Sequence, residues 1–189
     1  MEKPEAPPSR RDEILDAAER MIRAAGYNAF STRDVAEAVG IKAASVHYHF
    51  PTKADIGVAV TRRYTERFLL ELGEPAAFKG NLGKTIAHYA DAFRRALKRD
   101  GKLCVCAVLG AEIGGLPADV GEHTRMFFER NLEWLTGAMM ASSRIGAARA
   151  RRHATLVLAA LEGALIVSKS LGDESVFARV ADGLENMRP

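Results

Sequence analysis

Cysteine is nearly absent from this sequence of 189 residues, which contains only Cys104 and Cys106. Two cysteines this close together cannot build a disulfide framework, so we expect a protein of the reducing cytoplasm. Long apolar runs are also missing, because Glu162 interrupts the one at residues 156–161, and we predict no membrane span. The segment MEKPEAPPSRR has basic residues but no apolar stretch after them, so we expect no secretory signal.

The residue patterns of catalytic and metal sites are lacking as well. The GKT triplet at residues 83–85 resembles the end of a phosphate-binding loop, but Phe78 stands where the first glycine is required. The histidines at positions 88, 123 and 153 have no partners at metal-ligand spacing. No serine or cysteine lies in a nucleophile elbow. We therefore predict that the protein is not an enzyme and binds no metal or cofactor.

What the chain does contain is ordinary for a globular protein: 48% hydrophobic residues, 27% charged residues and a net charge of +3. That charge is too small to indicate nucleic-acid binding by itself. Residues 1–8 combine prolines and charges, which predicts a disordered tail. Strand signals are nearly absent along the rest, so helical periodicity predicts an all-α fold of about nine helices.

The most informative segment is residues 31–50, STRDVAEAVGIKAASVHYHF. Ser31 and Asp34 have the spacing of a capping box, which starts a helix. Gly40 stands where a left-handed residue ends that helix, and a second helix is predicted over residues 42–48. Val46 and Phe50 are four residues apart and are expected to face inward. Two short helices around a tight turn predict a helix-turn-helix, which places its second helix in the major groove of DNA.

Residues 14–56 resemble the DNA-binding domain of TetR/AcrR-type bacterial transcriptional regulators. The resemblance is carried by the Gly-Tyr pair at 26–27, Thr-Arg-Asp at 32–34, Gly-Ile at 40–41, Tyr-His-Phe at 48–50 and a lysine at 53. It implies a three-helix DNA-binding domain over residues 9–56. It further implies a helical ligand-binding and dimerisation domain over residues 57–189.

Carried over position by position, the resemblance also implies which residues contact DNA. Arg33 has the chemistry to bind guanine, and the small side chains of the second helix can touch thymine methyl groups. Tyr48 and Phe50 are expected to pack more than to contact bases, although Tyr48 stays in the contact set. That predicted set is Thr32, Arg33, Lys42, Ala43, Ala44, Ser45, His47, Tyr48, His49 and Lys53.

The predicted eighth helix, residues 147–171, carries an apolar stripe rich in small residues. Such a stripe suits close packing against a partner chain, but it could equally be an internal core stripe. The resemblance implies dimerisation through the last two helices, and a two-fold dimer implies a palindromic operator. The stripe is Leu156, Ala159, Ala160, Gly163 and Val167.

Two hypotheses address the signal that the C-terminal domain would sense. The first is a pocket for a small-molecule inducer among the middle helices, although each of its residues could be ordinary core. Its predicted lining is Tyr89, Phe93, Met126, Phe127, Trp134 and Met139.

The second hypothesis concerns Cys104, near the start of the short helix predicted over residues 103–113. This region is similar to the electrophile- and oxidant-sensing branch of the family, which implies a reactive Cys104 with Lys169 as its cationic partner. Against it, a cysteine among apolar residues is usually core, and Lys169 could simply favour a helix end.

Taken together, the sequence predicts a cytoplasmic homodimeric regulator, most simply a repressor. It would bind a palindromic double-stranded operator and be released by an inducer or by modification of Cys104. A DNA-binding adaptor that acts through protein partners, without a small-molecule signal, is the alternative.

Overall fold

A computed structural model describes residues 9–79, 81–100 and 103–187, and for residues 96–100 it describes the backbone alone. These residues form nine α-helices and two short 3-10 turns, Pro75–Ala77 and Ile113–Gly115. The helices are α1 Arg10–Ala25, α2 Thr32–Val39, α3 Ala43–His49, α4 Lys53–Leu72, α5 Leu82–Asp100, α6 Val105–Ala111, α7 Ala118–Ser142, α8 Ala147–Leu171 and α9 Ser175–Glu185.

The all-α prediction is confirmed, and the helices predicted over residues 42–48 and 147–171 lie within one residue of α3 and α8. The sixth helix is shorter than predicted, because Cys104 caps its start and the chain tightens into a 3-10 turn after Glu112. The predicted tail, residues 1–8, lies outside the described residues. The predicted domain boundary after residue 56 falls inside α4, so one continuous helix belongs to both regions.

The head, α1 to α3 with the start of α4, has a small apolar core. α1 contributes Ile14 and Ala18, α2 contributes Val35, and α3 contributes Val46, all of them fully buried. Local signals set the helix starts, since Ser9, Ser31 and Thr52 each form a capping box with the aspartate three residues later. In each box the serine or threonine hydroxyl accepts a hydrogen bond from the aspartate amide, and the aspartate carboxylate accepts one from the serine or threonine amide. These two bonds define where α1, α2 and α4 begin.

The body, α4 to α9, is held together by aromatic side chains at its centre. The Phe68 ring of α4 lies 5.0 Å from that of Phe93 and 5.6 Å from that of Phe127, centroid to centroid. The Tyr89 hydroxyl donates to the Asn131 side chain over 2.8 Å, and the Trp134 indole donates to the Gly73 carbonyl over 2.6 Å. The buried polar ends of these rings are therefore paired.

The long helix α8 is buried on one side only. Leu156 is 50% exposed and Leu171 is 68% exposed, while Val157, Leu161 and Leu165 on the other side are buried. By length and composition α8 is the one described helix apolar enough to cross a membrane, but helices in the core of water-soluble proteins pass the same test. The predicted small-residue stripe lies on its open side, where Ala159 is exposed and a side chain at Gly163 would meet nothing within 4 Å.

Candidate nucleic-acid interface and regulatory site

The turn between α2 and α3 has the geometry that the sequence predicted. Gly40 adopts the left-handed conformation with φ of 73°, which favours glycine because it has no Cβ. The Ile41 amide donates back to the Ala36 carbonyl over 2.9 Å, as in a Schellman motif. At the other end of α2, hydrogen bonds from the Ser31 hydroxyl and amide hold the pKa of Asp34 below its ordinary value. The helix is thus closed at both ends by its own sequence.

Two buried side chains attach α3 to the core of the head. Val46 and Phe50 are both buried, as predicted, and the Arg11 guanidinium lies 4.5 Å from the centre of the Phe50 ring. Since these residues occupy one side of a helix of seven residues, the opposite side of α3 faces solvent. α3 therefore presents a fixed polar surface to whatever approaches the head.

The structure brings the predicted DNA-contact residues to this surface in two groups. Six of them are exposed, and the other four are half-buried. The exposed ones are Arg33, Lys42, Ala44, Ser45, His47 and Tyr48, and the half-buried ones are Thr32, Ala43, His49 and Lys53.

Tyr48 differs from the expectation that it would mainly pack. Its side chain is 85% exposed, whereas Phe50 is buried as expected. The reason is helical geometry: Tyr48 follows the buried Val46 by two residues, and two residues along a helix turn a side chain by about 200°. Its ring contacts only the neighbouring His49 edge to face, with centroids 5.2 Å apart. Tyr48 is therefore available to a ligand of the head.

His47 is oriented by the chain that follows it. Its Nδ1 lies 3.2 Å from the Pro51 carbonyl oxygen. Because a carbonyl only accepts, that nitrogen carries the proton, and Nε2 points away from the bond. A neutral His47 can therefore only accept at Nε2, and it can donate to a phosphate only when the ring is protonated.

Lys53 is not simply a solvent-facing cation. Its ammonium lies 4.4 Å from the centre of the Tyr27 ring and 4.7 Å from that of Phe30. Burial against these rings lowers the pKa of Lys53, while the carboxylates of Glu112 and Asp34 act in the opposite direction. Glu112 could not be predicted from the sequence, because no local pattern links it to residues so distant in the chain.

In the body, five of the six predicted pocket residues lie together. Tyr89, Phe93, Phe127, Trp134 and Met139 are buried, and the Tyr89 ring is stacked 5.7 Å from that of Trp134. Met126 lies apart from them, since it precedes Phe127 by one residue and so points to another side of α7. It is 38% exposed and borders a surface cavity with Arg62, Thr65, Glu66, His123 and Arg130.

Cys104 lies at the start of α6, buried to 1% exposure. Burial raises the pKa of its thiol, but the Cys106 thiol, the Tyr64 hydroxyl and the Ala107 amide outweigh burial and lower that pKa to about 6. Burial, together with the neighbouring Cys104 thiol, raises the pKa of the Cys106 thiol. Cys104 is thus the thiol of the pair that ionises first.

The acidic side chain near Cys104 was not predicted. Both Glu162 oxygens and the Tyr64 hydroxyl are buried without a hydrogen bond of regular geometry, although both groups influence the titration of Cys104. Burial raises the pKa of Glu162 well above its ordinary value, and the neighbouring Cys104 acts in the same direction. Lys169, the predicted partner, lies two helical turns beyond Glu162 with its side chain exposed.

Two family models match this chain. Residues 14–60 match the model described as bacterial regulatory proteins of the TetR family. Residues 83–183, more than half of the chain, match the C-terminal domain of LmrA/YxaF-like transcriptional regulators. The chain belongs to the TetR family. It is a DNA-binding transcriptional regulator, and the resemblance of residues 14–56 is confirmed.

Solved TetR-family structures agree over almost the whole chain. A TetR transcriptional regulator from Legionella pneumophila is 29% identical, with a TM-score of 0.89 over 96% of this chain and 98% of that one. A TetR-family regulator from Agrobacterium tumefaciens is 28% identical, with a TM-score of 0.84 over 95% of this chain and 97% of that one. The helix-turn-helix head and the helical body are therefore a family architecture.

A curated relative is similar over the head alone. It is the HTH-type transcriptional repressor KstR2 of Mycolicibacterium smegmatis, which is 36% identical over 63 residues. The match covers 33% of this chain and 31% of that protein. It thus bears on the DNA-binding region and not on the body.

Proposed function

We propose that this TetR-family regulator is a cytoplasmic repressor that binds a palindromic operator as a homodimer and leaves it on receiving a signal in its body. The similarity of its head to that of a protein named as a repressor supports the sign of regulation. The observation that carries the proposal is the exposed surface of α3 above the buried anchors Val46 and Phe50. A helix held in this way can enter a major groove without rearranging the head.

Base recognition is assigned to the exposed residues on the two helices. Arg33 at the start of α2 can pair with guanine, and Ala44 and Ser45 on α3 can meet a thymine methyl group or a base edge. Lys42, His47 and Tyr48 would contact phosphates and fix the register. Thr32, Ala43, His49 and Lys53 complete the surface from half-buried positions, and of these His49 and Lys53 would contact phosphates.

Duplexes selected from a random pool by the purified protein test this assignment. We expect a palindromic consensus and a dissociation constant that rises steeply with salt. Arg33→Ala should lose selectivity for the consensus while keeping the wild-type helix content. Selection of no consensus by the wild-type protein would contradict the proposal.

The open side of α8 supports the homodimer. Leu156, Val167 and Leu171 are exposed there, next to Gly163, which allows close approach of another helix. Leu156→Glu should convert the dimer to monomer in analytical ultracentrifugation. Leu70→Glu is the matched control, because Leu70 is 83% exposed on α4 and lies outside the proposed interface. A wild-type protein that sediments as a monomer would exclude the dimer.

For the signal, we propose oxidation or alkylation of Cys104. The thiolate sulfur attacks a peroxide oxygen, the O–O bond breaks, and the released hydroxide takes a proton and leaves as water. The pKa of about 6 supports this choice, because it places a thiolate at neutral pH. The buried position restricts the reaction to small reagents. Lys169 stays the proposed cationic partner of Cys104.

The rate of Cys104 alkylation by iodoacetamide in the wild-type protein, followed by peptide mass so that Cys104 and Cys106 are distinguished, tests the thiolate. The rate should reach half its plateau near pH 6, and a midpoint near pH 9 would contradict the proposal. In a separate arm, peroxide should release wild-type protein from its operator and leave Cys104→Ser bound. An operator complex indifferent to peroxide would favour a non-covalent inducer among the buried aromatic residues, or the adaptor alternative if no ligand is found.

A further inference from the structure

The end of α6 in the body is attached to the head by one carboxylate. Glu112, the residue after α6, accepts a hydrogen bond from the Tyr27 amide over 2.9 Å. Tyr27 belongs to the turn that follows α1, so 85 positions of sequence separate the two partners. This contact joins the part of the body that begins at Cys104 to the part of the head that supports α2.

The turn after α1 is shaped to receive that carboxylate. Gly26 has φ of 96°, and a Cβ on it would stand 1.9 Å from the Glu112 Oε1 atom. A side chain at this position would therefore displace Glu112, besides straining the backbone. Gly26 is required for the contact as well as for the end of α1.

The positively charged ammonium of Lys53 lies next to the contact between Glu112 and Tyr27. Its ammonium lies over the rings of Tyr27 and Phe30, within the influence of the Glu112 carboxylate. Asp34 at the start of α2 is the other acidic group near it. Lys53 is the first residue of α4, and so its charge sits where the head, the body helix α4 and the end of α6 meet.

The opposite end of α6 is held to the head as well. The Arg23 Nε of α1 donates to the carbonyl of Leu103, next to Cys104, over 2.7 Å. Between the two ends the helices α1 and α6 leave a cavity of about 340 Å³. Its lining includes Ile22, Ala107, Val108, Ala111 and Ile166. Polar contacts at its ends therefore fix how α6 sits on the head.

We propose that Glu112 is a positioning residue for operator binding, which holds the turn after α1 and competes with operator phosphate for Lys53. A displacement of α6 by 1–2 Å, of the order seen in helix shifts, would break the bond to Tyr27 and change the support of α2. The inference rests on the proposed phosphate contact of Lys53. Glu112 is then the side chain that links a signal in the body to the DNA-binding head.

Two substitutions separate the roles of the Glu112 side chain, measured on the selected operator duplex. Glu112→Gln keeps an acceptor for the Tyr27 amide but removes the negative charge that attracts the Lys53 ammonium. Its log–log salt dependence of binding should therefore steepen by up to about two units, one for each subunit of the dimer, as Lys53 is freed to contact phosphate. Adding Lys53→Met should abolish this increase.

Glu112→Ala removes both the acceptor and the charge, and it should weaken operator binding about tenfold. Amide hydrogen exchange at Tyr27 should accelerate in this variant and stay near wild type in Glu112→Gln. Glu129→Gln is the matched control, because it removes the same charge from the exposed side of α7, where Glu129 pairs with Arg125. It should bind as wild type does.

A purely structural role for Glu112 would leave the salt dependence of Glu112→Gln unchanged, and that result would overturn the inference. Wild-type affinity in Glu112→Ala would overturn it too. In either case Arg33-dependent binding by the wild-type protein would leave the proposed function intact. A wild-type protein that selects no duplex would instead contradict the proposed function, and this inference with it.

Discussion

The head and the body of this regulator are stabilised in different ways. In the head, α1, α2 and α4 each begin with a capping box, whereas α6, α7 and α8 of the body begin without a side-chain cap. The head buries Val35, Val46 and the Phe50 ring, whereas the body buries a connected group of rings that includes Phe68, Tyr89 and Phe127. Capping boxes thus mark helix starts in the small DNA-binding head, and packing of aromatic rings holds the larger body together.

The difference suits what the two regions do. A surface that reads DNA has to keep its geometry, and the capping boxes of α2 and α4 fix the starts of the two helices on either side of α3. A region that responds to a signal needs helices that can shift against one another, and helices fixed mainly by packing can do so. The body also holds the unpaired buried groups Tyr64 and Glu162, which are costly in a rigid core.

The largest expected effect is on the body core. Phe127→Ala should lower the free energy of unfolding by about 3–5 kcal/mol, because Phe127 is buried against the rings of Tyr64 and Phe68. Urea denaturation at fixed protein concentration measures this. Phe127→Leu should cost much less, and equal losses in the two variants would argue against a packing effect.

The next effect falls on DNA binding and spares stability. Arg33 is exposed, and Arg33→Ala should cost about 1–3 kcal/mol of operator binding while the melting temperature stays at the wild-type value. Fluorescence anisotropy with the selected duplex and thermal denaturation give the two readings. A lower melting temperature would mean that Arg33 supports the head instead of contacting DNA.

The caps of the head should each contribute a smaller amount. Thr52→Ala removes the hydroxyl that accepts from the Asp55 amide over 3.1 Å, which should destabilise the protein by about 1 kcal/mol. Thr155→Ala is the control, because that exposed hydroxyl bonds only to the Arg151 carbonyl of its own helix. Equal effects of the two substitutions would contradict the importance of the capping box.

The smallest effect on stability is expected at Tyr48. With its side chain 85% exposed, Tyr48→Ala should change the free energy of unfolding by less than about 0.5 kcal/mol. Operator binding should nevertheless weaken, since an exposed ring on α3 can reach the DNA. A large loss of stability would revive the expectation that Tyr48 packs against the head.

The sequence predicted the head well because its signals are local. Capping boxes, the glycine turn and the spacing of Val46 and Phe50 involve residues within four positions of each other, and all are found in the structure. The order of the helices followed from periodicity and breaks in the same way. Tyr48 was misjudged because its apolar ring suggested packing that its place on the helix does not allow.

Contacts between distant residues could not be predicted in this way. Glu162 marked an interruption of an apolar run, and only the tertiary packing of the body places it near Cys104. The same holds for Met126, whose hydrophobic side chain gave no sign that it faces away from the aromatic core.

The sequence by itself determined the helices of this protein, their order and the exposed side of α3, because backbone caps and side-chain periodicity act within one or two helical turns. The tertiary structure alone decided which polar groups meet between helices. The Glu112 carboxylate meets the Tyr27 amide and Lys53 only because α6 packs on α1, and α8 leaves an apolar side open because α7 and α9 cover the other one.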